Sequence, residues 1–336
     1  MGLRVLILGV MMLVGLAPPA DARITIKLGT LAPEGSVWHD ALLEARQEWL
    51  AITDGEVELR IYAGGVLGGE DEMVRKLQRR SLDAVGISGG GLPHLDDSVD
   101  VLNIPLLFES YEELDYVRDR IAPELERRLE TRGFKVLSWS DGGWAYFFAK
   151  SPVRTPDDLR KLRLWISSGN PEAEKLFKDF GLRVVPLPVT DMLTGLQTGL
   201  VEAIDVPPLF ALLDRSYRHA SYMTDLRWAP VNGAVAISSR AWRKIPARYH
   251  DALEAAIRAA AGVVQGKIRQ AGKQSIAEMQ ARGLKVVSLD PETLALWRRE
   301  AQAAYPALRA NSGFPELFDE VLRLAAEYKK GQRGED

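Results

Sequence analysis

The 336-residue chain contains no cysteine. Disulfides, thiolate nucleophiles and cysteine-based metal sites are thereby excluded. Histidine is nearly as scarce. His39, His94, His219 and His250 are the whole set, and none stands at metal-ligand spacing. The chain has no phosphate-binding G-x-x-x-x-G-K-[ST] loop and no G-x-G-x-x-G after a strand, so neither metal nor nucleotide cofactor is expected. Neither sign of charge dominates: 43 basic residues face 46 acidic ones, for a net charge of −3. With no basic stripe, a nucleic-acid partner is not expected. Beyond residue 23 no apolar run approaches the ~20 residues of a membrane-spanning helix.

The one long apolar run stands at the start. Residues 1–4 form a short positive segment, residues 5–16 are apolar, and Ala20-Asp21-Ala22 is an A-x-A pattern. This predicts a secretory signal peptide over residues 1–22, cleaved after Ala22, and an exported soluble protein. The apolar run is too short for an anchor.

From Arg23 the pattern alternates between periods. "RITIKLGTLAP" puts Ile24, Ile26 and Leu28 on one face of a strand, and "VWHDALLEARQEWLAI" has helical spacing. "EVELRIYAGG" predicts a second strand, "GGEDEMVRKLQRRSL" a helix and "LDAVGIS" a third strand. The order β-α-β-α-β implies a parallel sheet flanked by helices. A second such unit follows: "FKVLSW", "KLRLWI", a helix opened by Asn170-Pro171, "LRVVPLP", a helix capped by Thr190 and ended by Gly199, then "LVEAIDV". About 36 residues around 247–282 form a helix of ~54 Å, long enough to brace two lobes. "LKVVSLD" is a further strand, "PETLALWRREAQAAYPAL" a helix, and the tail after residue 325 is charged and expected to fray. The fold class is α/β with two lobes, joined by crossing strands because no low-complexity linker occurs.

One catalytic pattern matches. Gly86-Ile87-Ser88-Gly89-Gly90 fits G-x-S-x-G after a strand, with Asp205 or Asp214 and then His219 or His250 downstream in the order a serine hydrolase needs. That elbow also needs a helix directly after the serine. "GGGLPHLDDS" is a poor one, so a glycine-rich strand-end loop facing a ligand is the better reading. Ligands of open parallel sheets sit outside the carboxyl ends of strands. Four segments occupy such ends: Trp165 with the turn behind it, Asp205 to Phe210 with Pro207 and Pro208, Ser88 with Gly89 and Gly90, and the "TLAPEGSVW" loop that carries Ala32. They converge only if two lobes face each other across a cleft.

These segments carry a resemblance. "LGTLAPEGSVWHDAL", "YAGGVLGGEDEMVRKLQRRSLDAVGIS" with Glu70, "SPVRTPDDLRKLRLW", "VVPLPVTDMLTGLQTGLVEAIDVPP" with Gln197-Thr198-Gly199, and "AISSRAWRKIPARYHDAL" together resemble the DctP-type solute-binding proteins of tripartite ATP-independent periplasmic (TRAP) transporters. The resemblance covers nearly all of the chain after residue 23. It implies a hinged two-lobe protein in the periplasm that captures a small molecule, performs no chemistry on it and delivers it to membrane permease subunits. It divides the chain into lobe I (23–144 and 231–282), lobe II (145–230 and 283–325) and a tail (326–336). A monomer is expected. Three positions depart from the family pattern. Trp165 stands where the family's carboxylate-binding arginine is found, with Arg163 on the preceding position. Trp144 and Ala145 stand near a second arginine's place, and Val206 replaces a ligand asparagine. The expected ligand is therefore partly apolar or aromatic. It would be contacted by Trp144, Trp165, Val206, Pro207 and Phe210, with polar ends meeting Ser88, the amides of Gly89 and Gly90, or Asn232. A carboxylate held by Arg163 is the alternative.

Overall fold

The computed structural model describes residues 23–168, 174, 177, 178 and 180–333. The signal peptide, the Asn170-Pro171 helix start and residues 334–336 lie outside these. Strands β1 (Ile24–Thr30), β2 (Val57–Tyr62) and β3 (Ala84–Ser88) are mutually parallel and alternate with helices α1 (Val37–Ile52) and α2 (Glu70–Gln78). Ser36 caps α1 by accepting from the His39 amide. Helix α3 (Tyr111–Thr131) then leads into β4 (Phe134–Ala149). The second cluster holds α4 (Pro156–Arg160), β5 (Arg163–Ser167), β6 (Arg183–Leu187), α5 (Val189–Thr198), β7 (Ala203–Val206) and α6 (Pro208–Leu213), with β5 parallel to both β6 and β7. Strands β8 (Tyr222–Thr224) and β9 (Ala229–Ser238) follow.

The strand path is β2-β1-β3-β9-β4-β7-β5-β6, so one sheet runs through both clusters. The joints are antiparallel: β9 pairs with β3 and β4, and β4 pairs with β7. Strand β4 is 16 residues long, where the sequence predicts six at its start. Its first part lies on β9 and its last part, Tyr146 to Ala149, on β7. Register shifts at Val136/Ser138 and Asp141/Gly143 bend it between the two. The glycine pair in "SWSDGGWAYFFA" lies at a bend within the strand: Gly143 has φ 98°. After β9 come a short helix α7 (Ser239–Trp242) and the brace, α8 (His250–Ala281), 32 residues or ~48 Å long.

Helix α8 packs on α1 of the first cluster and on α6 of the second. Trp49 anchors the former contact. Its ring is fully buried and its Nε1 donates to the Leu253 carbonyl at 3.0 Å. Strand β10 (Lys285–Val287) pairs with β8, and α9 (Pro291–Asn311) and α10 (Pro315–Arg333) close the chain. Two sequence expectations are corrected here. The charged tail is helical to residue 333, because Lys329 donates to the Leu107 carbonyl and Glu327 accepts from Tyr116. Helix α5 begins at Val189 behind Pro188, with no side-chain cap, so Thr190 lies inside it.

Candidate ligand-binding cleft

A cleft of about 570 Å³ opens where the carboxyl ends of the parallel strands meet the crossing strands. Ala32, Ser88, Gly89, Gly90, Trp165, Val206, Pro207, Phe210 and Asn232 all line it. Pairing fixes which face each presents. Tyr146 lies opposite Val206 and Phe148 opposite Ile204, while Leu164 aligns with Ala203. Trp165, Ile204 and Val206 therefore share one face of the sheet, and Leu164, Ala203 and Asp205 the other. The cleft runs round the strand ends, so both faces contribute.

The Trp165 indole is 7% exposed, and its Nε1 donates to the Leu187 carbonyl at 3.0 Å. With its polar atom satisfied inside the protein, the ring offers the cleft only apolar surface. Two candidates are corrected. Arg163 sits at the amino end of β5, outside the lining. Its Nη2 and Nε donate to the carbonyls of Gly199 and Leu200 at 2.6 and 3.0 Å, and it pairs with Glu202 at 3.1 Å. Two residues of strand carry it about 6.6 Å from Trp165, in the direction away from the ligand end. Trp144 is 5% exposed and is also outside the lining, its ring packed 5.5 Å from that of Tyr111.

Ser88 is not an activated nucleophile. Its Oγ donates to Glu70 Oε2 at 2.9 Å and its amide to Oε1 at 2.7 Å. The chain then turns through the glycines into a single 3-10 turn, Leu92–His94, instead of an elbow helix. His250 is committed to the carbonyls of Trp242 and Ile245, and neither it nor His219 lines the cleft. Glu70 itself is buried, which pushes its carboxyl above the usual range despite the two bonds from Ser88. A Cβ on Gly91 would lie 2.8 Å from Glu70 Cβ, so the glycine is what allows this acid beneath the loop.

Asn232 is 1% exposed. Its Nδ2 donates to the Leu102 carbonyl and to Asn103 Oδ1, both at 3.2 Å, leaving Oδ1 with no partner. Asn103 in turn donates to Asp100 at 3.4 Å. Burial raises the Asp100 carboxyl to about 7. Sequence reasoning missed Asp100, Asn103, Trp228 and Trp297, which also line the cleft. It weighed Asp205 only as a hydrolase acid, although an ionisable residue inside the apolar strand "AIDV" was a legible signal.

The charge inventory of the walls is uneven. Six acids (Glu70, Asp97, Asp100, Asp141, Asp205 and Glu300) stand against one described base, Arg160. Arg160 is taken: it pairs with Asp157 and Glu300, each at 2.7 Å.

Two clusters of parallel strands, crossing strands between them, a bracing helix and a cleft with largely apolar walls make up the two-lobe architecture of a solute-binding protein. The chain belongs to bacterial extracellular solute-binding protein family 7, the DctP family, whose model matches residues 28–311. It is 25% identical over 271 residues to a solute-binding protein of Verminephrobacter eiseniae, covering 80% of each chain. Solved structures with the same fold include a TRAP periplasmic solute-binding protein of Xanthobacter autotrophicus with bound β-D-galacturonate (TM-score 0.82, 20% identity, 90% of this chain and 99% of that one). Another, from Sulfurospirillum deleyianum with bound succinate, gives a TM-score of 0.81 at 21% identity, covering 88% and 97%. Transport in the periplasm follows from the family.

Proposed function

We propose that the cleft captures a small organic solute with a substantial apolar or aromatic part and that the loaded protein delivers it to membrane-embedded TRAP permease subunits. Trp165, Val206, Pro207 and Phe210 contact the apolar body, and Ser88, the residue 89–90 amides and Asn232 surround its polar end. The lobes divide at residues 144/145 and 230/231, where β4 and β9 pass from one cluster to the other, and they hinge there. The observation that carries the ligand class is the absence of a free cation among the described lining residues, with an indole at the end of β5. Sealing an unpaired carboxylate in such a cleft would cost several kcal/mol, whereas apolar surface gains about 25 cal/mol per Å² on burial.

The two solved structures named above hold acids. Calorimetric titration with succinate and with β-D-galacturonate at neutral pH is expected to show no saturable binding tighter than ~1 mM. Micromolar binding of either acid would contradict the proposal.

A further inference from the structure

The part of the cleft around Asp205 has a composition that the apolar reading does not use. Asp205 is the penultimate residue of β7 and faces the side of the sheet opposite Trp165. No described side chain forms a hydrogen bond or ion pair with its carboxylate, and the one group beside it that favours the charged form is its own amide. Burial without a charged partner raises this carboxyl to about 7. Four of the other wall acids differ. Asp141 is held by Arg118 and Arg269, Glu300 by Arg160, Glu70 by Ser88 and Asp100 by Asn103.

Around Asp205 the walls are aromatic. Phe147 stands directly across the ladder from it. The Phe147 ring lies 5.0 Å from that of Trp228 and 5.7 Å from that of Trp297, and both indoles line the cleft. Trp297 Nε1 is bound to the Arg154 carbonyl at 2.8 Å, so its indole N–H is committed to the protein. A second acceptor belongs to the same lining: Asn232 is buried, its Nδ2 is fixed by the Leu102 carbonyl, and Oδ1 is left over. Asp205 and Asn232 thus leave acceptors unspent in walls that also carry these rings. That is the complement of a positively charged N–H donor group, since carboxylate pairing and ring quadrupoles both favour a cation.

Resting on the apolar-cleft reading above, we infer that the solute carries a positively charged nitrogen, an ammonium or amidinium group, which Asp205 pairs and the Trp228 and Trp297 indoles flank. A cleft in which Asp205 has no described partner and no free base stands among the described lining residues selects against carboxylates such as those in the two solved structures named above, because an anion would meet Asp205 at close range.

The test uses three probes of matched shape: 2-phenylethylammonium, 2-phenylethanol and 3-phenylpropionate, titrated calorimetrically into the ligand-free protein at pH 8. The ammonium member is expected to bind at least about tenfold tighter than the alcohol, and the carboxylate most weakly. In Asp205→Asn the ammonium preference is expected to vanish while the alcohol's affinity stays within about twofold. Equal binding of ammonium and alcohol, tightest binding of the carboxylate, or an ammonium preference that survives Asp205→Asn would each overturn the assignment of a cation while leaving the apolar cleft standing. Failure of all three probes to bind at ~10 mM would overturn the apolar-cleft reading itself, and the inference with it.

Discussion

Asp141→Ala is expected to lower the melting temperature by at least about 6 °C. The carboxylate is 2% exposed, and it accepts from Arg118 Nη1 at 2.6 Å and from Arg269 Nη2 at 2.6 Å. Those arginines come from α3 and α8, while Asp141 stands at the bend of β4. Three elements thus meet on one acid, at the place where the sheet passes from one cluster to the other. Asp115 binds the same two guanidinium groups, at 2.6 and 2.7 Å, from a more exposed position. Without Asp141 two largely buried cations share one acid, and breaking such a pair costs about 3–5 kcal/mol. At roughly 2 °C per kcal/mol for a chain of this size, the lower bound follows. Asp115→Ala is expected to cost less than half as much. Thermal denaturation followed by circular dichroism checks both, and a loss under 2 °C for Asp141→Ala would show that the bend is held by the backbone alone.

The second large effect is on affinity. Trp165→Ala is expected to weaken solute binding about fiftyfold. An indole that lays on the order of 100 Å² of apolar surface against a ligand contributes about 2.5 kcal/mol, and tenfold in affinity is 1.4 kcal/mol. Trp165→Phe keeps most of that surface and is expected to lose less than tenfold, although the Leu187 carbonyl then lacks its donor. Fluorescence or calorimetric titration with the solute released from the purified protein measures this. Unchanged affinity in Trp165→Ala would remove the indole from the ligand's surroundings.

Much of this fold was legible before any coordinates. The alternation of Ile24, Ile26 and Leu28, the helical run of α1 and the glycine stop at Gly199 are local patterns, and local patterns survive into the structure. What was not legible depends on distant partners. The sequence pattern gives β4 only as far as Trp139, and pairing with β9 and β7 carries it on to Ala149. Helix α10 looks like a charged tail until Lys329 finds the Leu107 carbonyl.

The candidate site divides in the same way. Strand ends predicted Trp165, Val206, Phe210 and Ser88 in the cleft lining, because carboxyl ends of parallel strands converge by topology. Arg163, the alternative carboxylate holder, starts the strand that carries Trp165 further along, and the strand's length sets it outside the lining. Trp144 was misplaced because nothing local shows that Tyr111 covers it. The unpaired state of Asp205 was invisible for a related reason: whether a charge has a partner is decided by residues far along the chain.

The central claim is that the cleft holds a partly apolar solute and not a small polyhydroxy or dicarboxylic acid. Native mass spectrometry of the protein purified from a periplasmic extract, followed by denaturation and identification of what is released, tests it most directly. The expected result is one small molecule per chain carrying an aromatic ring or an aliphatic segment. Release of succinate, a sugar acid or a comparable wholly polar anion at one per chain would contradict the account.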